Sequence, residues 1–255
     1  MSAFSRPDVI FTDVDDTLTL HGELPVATLT ALYRLREANI AVIPVTGACA
    51  GWCDQIARLW PVTAVIGENG AFCIDKADGQ LHYIDTQPEQ QRLDNHRCLQ
   101  ALAERVLADN SKFKLAQDNV YRRYDWAIDY NQHASGITQQ ELEQALAHIH
   151  NSGVQATASS IHINMWIGDN NKKQGALNWL AHHRPDWSEQ QILQRCAYIG
   201  DSLNDEPMFA YFRHSVAVAN IAPHLPRLQH KPALIMTKEG GEGFAQWVDG
   251  LLAGA

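Results

Sequence analysis

A short apolar segment near the start of the chain runs directly into a group of carboxylates. Residues Val9 to Phe11 predict a buried strand, and Asp13, Asp15 and Asp16 follow it. Alternate residues of an extended chain share a face, so Asp13 and Asp15 are expected to point the same way. Such crowded charge is costly unless a cation lies beside it. The pair therefore predicts a site for a hard cation such as Mg²⁺, or a nucleophile with its general acid. For this stretch alone, a solvated acidic turn is the alternative.

Apolar strands alternate with helical patterns in the first and last thirds of the chain. Predicted strands at 40–45, 64–66, 197–200 and 215–219 follow the first one, with amphipathic helices between them. Such alternation predicts parallel βαβ units, whose ligand sites lie at the carboxyl ends of the strands. We therefore expect an α/β fold with a doubly wound, mostly parallel, Rossmann-like sheet.

The pattern changes over residues 79–167. This stretch predicts a helix, strands, a second helix and further strands, which is typical of an α+β module. We expect residues 1–78 and 168–255 to form the catalytic core. Residues 79–167 would then be an inserted cap that sets substrate specificity.

The composition restricts the classes of partner. The net charge of −9 argues against a nucleic-acid footprint. No run of 18 apolar residues is present, so we expect no membrane span. Residues 1–7 lack an apolar signal core, and the five cysteines have no metal-ligand spacing. Reduced thiols in a cytoplasmic protein are the simplest explanation. The sequence specifies no oligomeric state.

Four groups of polar residues fall at predicted strand ends or helix starts of the core. They are Asp13 with Asp15, Thr46, Lys172 or Lys173, and Asp201 with Asp205. Each has an ordinary explanation by itself, as a turn, a solvated pair of lysines or a helix cap. Together they supply a nucleophile, a proton carrier, metal ligands, a hydroxyl and a cation around one phosphoryl group. The set predicts phosphoryl-transfer chemistry.

These residues resemble the sequence motifs of the haloacid dehalogenase superfamily. The matching motifs are Asp13-Val14-Asp15-Asp16-Thr17, Thr46, Lys173 and Gly200-Asp201-Ser202-Leu203-Asn204-Asp205. The insertion between the Thr and Lys motifs resembles the branch with a large α/β cap, which holds sucrose-phosphate, trehalose-phosphate and mannosyl-phosphoglycerate phosphatases. The resemblance implies a Mg²⁺-dependent phosphatase that acts on a small phosphorylated metabolite, such as a sugar phosphate or a phosphorylated sugar acid.

The resemblance implies a role for each carboxylate. Asp13 would attack phosphorus and carry an aspartyl-phosphate. Asp15 would protonate the leaving oxygen and then take a proton from the hydrolytic water. Asp13, the backbone carbonyl of Asp15 and Asp201 would hold Mg²⁺, with Asp205 as a further ligand or as a neighbour of the ligands. Related dehalogenases lack the second Asp, so its presence points to phosphate rather than haloacid chemistry.

The resemblance also implies which residues bind phosphate. Thr46 and Gly47 would bind the phosphoryl oxygens, with Asn204 near by, and the motif lysine would stabilise the transferred charge. The family usually has Lys-Gly at this motif, whereas a glutamine follows Lys173, which makes Lys172 an alternative. We favour Lys173, because it keeps the spacing of the motif to the following Ala-Leu pair.

Contacts to the rest of the substrate are expected from the cap. The family often reads Thr-Gly-Arg, but Ala48 stands at the Arg position here, so a substrate-facing cation is missing. Arg122 and Arg123, expected on a cap strand, are candidates to reach a second anionic group of the substrate. Adjacent strand residues face opposite ways, so at most one of them would do so. Placement of both on the outer face is the alternative.

Two other functions share this chemistry. A phosphomutase or phosphotransferase of the same superfamily would use the same residues. A receiver-type signalling module is also a doubly wound α/β domain, with a phosphorylatable Asp, an acidic pair, Thr and Lys. A receiver needs neither an inserted cap nor a proton-transfer residue at Asp15, so the sequence favours the phosphatase over it.

Overall fold

The computed structural model describes residues 6–159 and 161–253, in which twelve strands and eight α-helices occur. The strands are β1 (Val9–Thr12), β2 (Ala41–Pro44), β3 (Ala64–Gly67), β4 (Phe72–Ala77), β5 (Gln80–Asp85), β6 (Lys114–Leu115), β7 (Asp125–Asp129), β8 (Gln155–Ala158), β9 (His162–Trp166), β10 (Cys196–Gly200), β11 (His214–Ala217) and β12 (Leu234–Ile235). The helices are α1 (Val26–Glu37), α2 (Ala50–Leu59), α3 (Glu89–Asp109), α4 (Gln139–Asn151), α5 (Lys172–His183), α6 (Glu189–Arg195), α7 (Glu206–Tyr211) and α8 (Gly240–Ala253). Most of the segment considered for a signal core, residues 1–5, lies outside the described residues.

The core is built on a parallel sheet of five strands in the order β12-β11-β10-β1-β2. β3 continues this sheet beyond β2, since Thr46 N–H donates to the carbonyl of Ile66 at 3.0 Å and Thr63 N–H donates to that of Val42 at 2.9 Å. β4 and β5 then add an antiparallel hairpin to β3. Helices pack on both faces of the sheet. The predicted doubly wound α/β fold is therefore confirmed.

The first strand is buried on both sides. Ile10 packs into the hydrophobic cluster that contains α1, α2 and α8, whereas Val9 and Phe11 pack into the cluster that contains α5 and α7. All four residues of β1 are fully buried. A parallel strand that is covered on both faces is a continuous apolar run. The apolar segment of the sequence therefore ends at the carboxyl edge of the sheet, where this cover ends. Asp13 is the first residue beyond that edge.

The inserted module is a four-stranded antiparallel sheet in the order β6-β7-β9-β8, with α3 and α4 on one face. Ile163 and Met165 of β9 pack against those helices in a hydrophobic cluster of their own. Side chains alternate along a strand, so His162 and Asn164 lie on the opposite face. That face is turned towards the core, because the Asn164 side chain reaches the backbone carbonyl of Gly47.

The sequence pattern changes near residue 79, but the next strand still belongs to the hairpin of the core. β5 pairs with β4 from Ala77↔Gln80 to Phe72↔Asp85 and so extends the hairpin next to β3. The helices and strands that build the cap sheet and cover it run from α3 to β9. The division of the chain at 79 and 167 stays a prediction, and the pairing of β5 favours a first boundary that lies after this strand.

Two further observations concern the helices and the cysteines. No helix within the described ranges combines the length and the apolar character needed to cross a lipid bilayer. Every cysteine is a free thiol; Cys49, Cys53 and Cys196 are buried, Cys73 is partly buried and Cys98 is exposed.

Gly70 lies where the turn after β3 touches the start of α5. Its φ is +99°, and a Cβ at this position would lie 2.2 Å from the carbonyl oxygen of Asn171, the residue before α5. Gly79 also has a positive φ, +74°, but a Cβ there would meet nothing within 4 Å. Alanine at either position strains the backbone. Only alanine at Gly70 adds a collision with the backbone.

We expect Gly70→Ala to lower the free energy of unfolding by about 2–4 kcal/mol, and Gly79→Ala by about 1 kcal/mol. The difference between the two variants measures the contact between the turn and α5, because the strain from positive φ is common to both. Denaturant unfolding followed by circular dichroism provides both values. Equal losses would contradict the role given to this contact.

Candidate active site

Three buried carboxylates meet at the carboxyl edge of the parallel sheet. Asp13 follows β1, Asp201 follows β10, and Asp205 ends a 3₁₀ turn directly after it. One oxygen from each lies within 4.8 Å of the other two, and the residues are at most 8% exposed. β1 and β10 are neighbours in the sheet. The topology therefore brings together the acidic residues from the two ends of the chain.

The ammonium group of Lys172 lies between two of these carboxylates. Its Nζ donates to Asp13 Oδ1 at 2.6 Å and to Asp205 Oδ1 at 2.7 Å. It also donates to Asn204 Oδ1 at 3.3 Å. Lys172 is 4% exposed, so these charges interact in surroundings of low dielectric constant, where attraction is stronger than in water.

Lys173 points away from the carboxylates, which corrects the sequence-based choice between the two lysines. Its Nζ lies 5.8 Å from the centroid of the Tyr211 ring. Successive helix residues are turned by about 100°, so the two lysines cannot share a face. The buried stripe of α5 contains Lys172, Gly175 and Ala176. The spacing to Ala176 had favoured Lys173, but a residue four positions before Ala176 lies on the same face of the helix.

Both carboxylate oxygens of Asp205 accept hydrogen bonds from other groups of the protein. Its Oδ1 accepts hydrogen bonds from Lys172 and from the hydroxyl of Tyr198. Its Oδ2 accepts from the backbone N–H of Asp201 at 2.9 Å and of Ser202 at 3.1 Å. Asp205 therefore orients both the ammonium and the turn that carries Asp201. No sequence pattern distinguishes Tyr198 as a site residue, because it lies in the middle of an apolar strand.

Asp201 is held by two side chains that the sequence analysis also missed as site residues. The Thr17 hydroxyl donates to Asp201 Oδ1 at 3.1 Å, and Asn220 Nδ2 donates to Asp201 Oδ2 at 3.1 Å. The same Asn220 Nδ2 donates to the carbonyl of Asp16 at 2.8 Å. A signal for Asn220 was present, because it follows the predicted strand at 215–219 and so lies at the same sheet edge.

Burial raises the pKa of Asp13 and of Asp201. It is the largest cause for Asp13, whose pKa rises to about 7 although the charge of Lys172 opposes the rise. Burial, followed by the negative charges of Asp13 and Asp205, raises the pKa of Asp201 to about 9. Desolvated carboxylates that repel one another favour a bound cation. The site fits Mg²⁺, because the atoms it offers are oxygens.

Asp15 differs from the other acidic residues because its side chain is solvent-accessible. The surrounding protein mass nevertheless desolvates the carboxyl group and raises its pKa, with the charge of Lys172 acting in the opposite direction. No side chain or backbone group of residues 6–159 and 161–253 donates a hydrogen bond to this carboxyl. Asp15 is thus free to exchange a proton with a bound molecule.

Thr46 and Gly47 form the turn after β2, the strand next to β1. Thr46 is fully buried, and its Oγ1 accepts a hydrogen bond from the N–H of Ala48 at 3.0 Å. The carbonyl of Gly47 accepts from Asn164 Nδ2 at 3.2 Å and from Arg122 Nη1 at 3.3 Å. The turn predicted to bind phosphate is therefore held in place from the cap side.

Both arginines predicted to contact the substrate are paired with carboxylates. Arg122 is buried and donates to Asp118 Oδ2 at 2.7 Å and to Asp125 Oδ1 at 2.8 Å. Arg123 donates to Asp85 Oδ2 at 2.9 Å. Neither lies on the expected strand, because β7 begins at Asp125. A role for either in binding a second substrate anion stays a prediction, and this pairing argues against it.

A buried glutamate joins the core to the cap. Glu68, in the turn after β3, accepts hydrogen bonds from the N–H groups of Arg123, Tyr124 and Asp125 at 2.6–3.1 Å. It also accepts from the N–H of Ala50, the first residue of α2, at 3.0 Å. Burial, followed by the charge of Asp125, raises the pKa of Glu68 to about 8. No sequence pattern indicated a role for Glu68, because its partners in the cap are 55 to 57 positions away.

Comparison with known proteins now places this site in a family. A sequence model of the haloacid dehalogenase-like hydrolases matches residues 10–118 and 92–240. The chain belongs to the haloacid dehalogenase-like hydrolases. The resemblance drawn from the four motifs is therefore confirmed.

Two curated relatives of this hydrolase are phosphoglycolate phosphatases. The one from Pyrobaculum neutrophilum is 26% identical, over 96% of each chain. The one from Archaeoglobus fulgidus is 27% identical, over 94% of this chain and 95% of the relative. The prediction of a phosphoric monoester hydrolase is confirmed, and the family favours it over a receiver module.

Two solved structures have a similar fold. A Thermoplasma acidophilum protein has a TM-score of 0.75 at 14% identity, over 98% of this chain and 99% of that chain. The sucrose-phosphatase of Synechocystis, solved with sucrose and phosphate, has a TM-score of 0.66 at 14% identity, over 96% of this chain and 98% of that chain. At this identity the likeness concerns the fold.

We expect Lys172→Met to lower kcat for p-nitrophenyl phosphate by about 10²- to 10³-fold, and Lys173→Met to change it by less than about twofold. The reason is that only Lys172 contacts Asp13. Steady-state assays of the two variants side by side provide the comparison, with circular dichroism as the folding control. Lys172→Arg keeps a charge near the carboxylates and should fold even if Lys172→Met does not. A larger loss for Lys173→Met would return the role to Lys173.

Proposed function

We propose that this hydrolase is a Mg²⁺-dependent phosphatase of a small phosphorylated metabolite, a sugar phosphate or a phosphorylated sugar acid. In this proposal the reaction passes through an aspartyl-phosphate on Asp13. The observation that carries it is the arrangement of the Asp13 carboxylate. Lys172 holds Oδ1, whereas Oδ2 accepts no hydrogen bond from the described part of the chain.

Asp13 is the proposed nucleophile. A carboxylate attacks phosphorus only in its ionised form, and burial alone would keep Asp13 protonated. The charge of Lys172 lowers the pKa of Asp13 against the effect of burial. The ion pair also fixes the direction of the carboxylate, so that the unpaired Oδ2 is the atom available to form the bond to phosphorus.

Asp15 is the proposed general acid and base. It lies two residues beyond Asp13 and is accessible. Desolvation is the first cause that raises its pKa above the ordinary value, which favours the protonated form that a general acid requires. It would give its proton to the leaving oxygen in the first half-reaction. In the second it would take a proton from the water that attacks the aspartyl-phosphate.

Thr46, Lys172 and Asn204 are the proposed contacts to the phosphoryl oxygens. The Thr46 hydroxyl proton has no acceptor within residues 6–159 and 161–253, so it is available to donate. Lys172 adds a positive charge at the same place, and Asn204 is held next to it. Placed donors of this kind stabilise the charge that develops during transfer.

Asp13, Asp201 and the backbone carbonyl of Asp15 are the residues that would hold Mg²⁺. When bound, Mg²⁺ offsets the negative charge of the carboxylates and of the phosphoryl group. Asp205 would support this set by orienting Lys172 and the backbone of Asp201, since each of its oxygens already accepts two hydrogen bonds.

We also propose a cytoplasmic location, which the free thiols of all five cysteines support. The proposed partner is the small phosphorylated substrate. The acidic net charge of −9 favours neither a nucleic acid nor an anionic membrane as a further partner.

The raised pKa values determine how the stability of the metal-free protein depends on pH. Folded Asp13 and Asp201 hold protons up to about pH 7 and about pH 9, whereas the unfolded chain releases them near about pH 4. Between these limits the folded state binds more protons than the unfolded state. The free energy of unfolding of the metal-free protein therefore falls as the pH rises from about 4 to about 9.

We expect Mg²⁺ to raise Tm more at about pH 8 than at about pH 5, because at the lower pH it must displace protons from the same oxygens. Thermal unfolding with Mg²⁺ and with chelator at both pH values measures the effect. Asp201→Asn, which removes one proposed ligand, should reduce the shift. Undiminished phosphate release in excess chelator after metal stripping would contradict the metal requirement.

We expect Asp15→Asn to slow formation of the aspartyl-phosphate from sugar phosphates by about 10² to 10⁴. p-Nitrophenolate leaves without a proton, so with p-nitrophenyl phosphate the loss should fall on water attack. A burst of about one equivalent of p-nitrophenolate should then precede slow turnover, the kinetic mark of an accumulating intermediate.

Rapid-quench mass spectrometry should detect phosphate on Asp13 during this burst. Asp16→Asn is the matched control, since the Asp16 carboxyl accepts from the N–H of His21 at 2.9 Å and is given no role in proton transfer. Wild-type rates of Asp15→Asn on both kinds of substrate would show that Asp15 is not the proton carrier.

A further inference from the structure

Two asparagine side chains meet beside the phosphate-binding turn, one from the core and one from the cap. A Cβ on Gly47 would lie 2.8 Å from Asn164 Nδ2 and 3.2 Å from both amide atoms of Asn69. Asn164 is 5% exposed and Asn69 is 4% exposed. The two amides therefore flank Gly47 at the junction between the core and the cap sheet.

Each of these amides has a buried atom without a partner. Asn164 Nδ2 donates to the carbonyl of Gly47, but Asn164 Oδ1 accepts nothing, and Asn69 Nδ2 donates to nothing, within the described ranges of the chain. Buried polar atoms are nearly always paired, because an unpaired one costs free energy. Here the amide with the free acceptor and the amide with the free donor both lie close to the Cβ position of the same glycine.

Asn69 lies in a segment with a strained backbone. Glu68, Asn69 and Gly70 all have positive φ, at +43°, +57° and +99°. This region is unfavourable for a glutamate. The conformation is maintained by the hydrogen bonds of the Glu68 carboxyl to the N–H groups of α2 and of the cap. Strain retained next to a site for chemistry points to a role there for the residue it positions.

The cations near this junction are already neutralised. Arg122 is bonded to Asp118 and Asp125. Arg123 is bonded to Asp85. A carboxylate on the substrate would therefore find no uncompensated positive charge from either arginine, and Asn164 Oδ1 would repel it. A hydroxyl group suits both free atoms, because it donates one hydrogen bond and accepts another.

We infer that Asn69 and Asn164 select a leaving group that is hydroxylated and uncharged over one that carries a carboxylate. A substrate hydroxyl donates to Asn164 Oδ1 and accepts from Asn69 Nδ2. This inference rests on the proposed function. It narrows the substrate class to phosphate esters of uncharged polyols or sugars. It sets the chain apart from the relatives named for phosphoglycolate, whose leaving group contains a carboxylate.

Matched pairs of substrates test the inference in the full-length enzyme. In each pair a hydroxymethyl group replaces a carboxylate: hydroxyethyl phosphate with phosphoglycolate, glycerol phosphate with phosphoglycerate, and sorbitol phosphate with phosphogluconate. We expect kcat/KM to be at least about tenfold higher for the hydroxymethyl member, since the site would then reject a group that leaves its amides unpaired. Equal or higher values for the carboxylate members would overturn the inference.

Variants locate the selection in the two amides. Asn164→Ala and Asn69→Gly, the latter compatible with positive φ, should each lower kcat/KM for the preferred hydroxymethyl substrate by about tenfold relative to kcat/KM for p-nitrophenyl phosphate. Asn110→Ala is the matched control, because its amide is bonded to Glu141 in the cap at 3.0 Å, and it should leave the ratio unchanged. If Asn69 and Asn164 had a purely structural role, the variants would lower kcat/KM equally for both substrates. That result would overturn the inference.

Asp118→Asn tests whether neutralisation of Arg122 contributes to the rejection of carboxylates. It leaves Arg122 with one carboxylate partner, so the preference for hydroxymethyl members should fall by about threefold or more. An unchanged preference would overturn the inference. Turnover of p-nitrophenyl phosphate without turnover of any hydroxymethyl member would overturn the inference alone. Absence of turnover on every compound, p-nitrophenyl phosphate included, would overturn the proposed function itself.

Discussion

The ion pairs of Lys172 are the interaction on which the carboxyl edge of the sheet depends. Without Lys172, three acidic side chains with oxygens within 4.8 Å of one another would be buried with no ion-pair partner among residues 6–159 and 161–253. The position of Lys172 depends in turn on where α5 begins. That start is fixed by the turn after β3, because a Cβ on Gly175 would lie 2.7 Å from the Cα of Gly70. The contact between Gly70 and Gly175, outside the cluster of carboxylates, therefore determines where the ammonium group lies.

The positions of several polar residues at the carboxyl edge of the sheet could be predicted from the sequence for a physical reason. Parallel strands buried on both faces are continuous apolar runs, and their carboxyl ends line up, so the polar residues after each run converge. This reasoning located Asp13, Thr46 and Asp201. It failed for the lysine, because adjacent helix residues differ in face. The signal that decides the matter is Asn171, whose side chain caps α5 by accepting from the N–H of Gln174 at 2.9 Å and makes Lys172 the first helical residue.

The contacts between the core and the cap could not be predicted in this way. The partners of Glu68 in the cap are distant in sequence, and the partners of Arg122 neutralise its charge. Neither property leaves a periodic pattern in the sequence. Arg122 looked like a cation available to a substrate, whereas its partners Asp118 and Asp125 neutralise it. Whether a charged side chain is available to a ligand depends on its neighbours in space. Hydrophobic periodicity carries information about layers and faces, and none about which charges are already satisfied.

The hydrogen bonds of Glu68 bear on how this fold diversifies. On the cap side Glu68 binds backbone N–H groups, at Arg123, Tyr124 and Asp125, and every residue type except proline has such a group. The half-buried side chain at position 123 can therefore be exchanged during evolution while these backbone hydrogen bonds persist, whereas Tyr124 also packs into the core and donates to Asp85. Because attachment is separated from side-chain identity in this way, a lineage can vary exposed side chains of the cap next to this junction and retain an unchanged hydrolytic core.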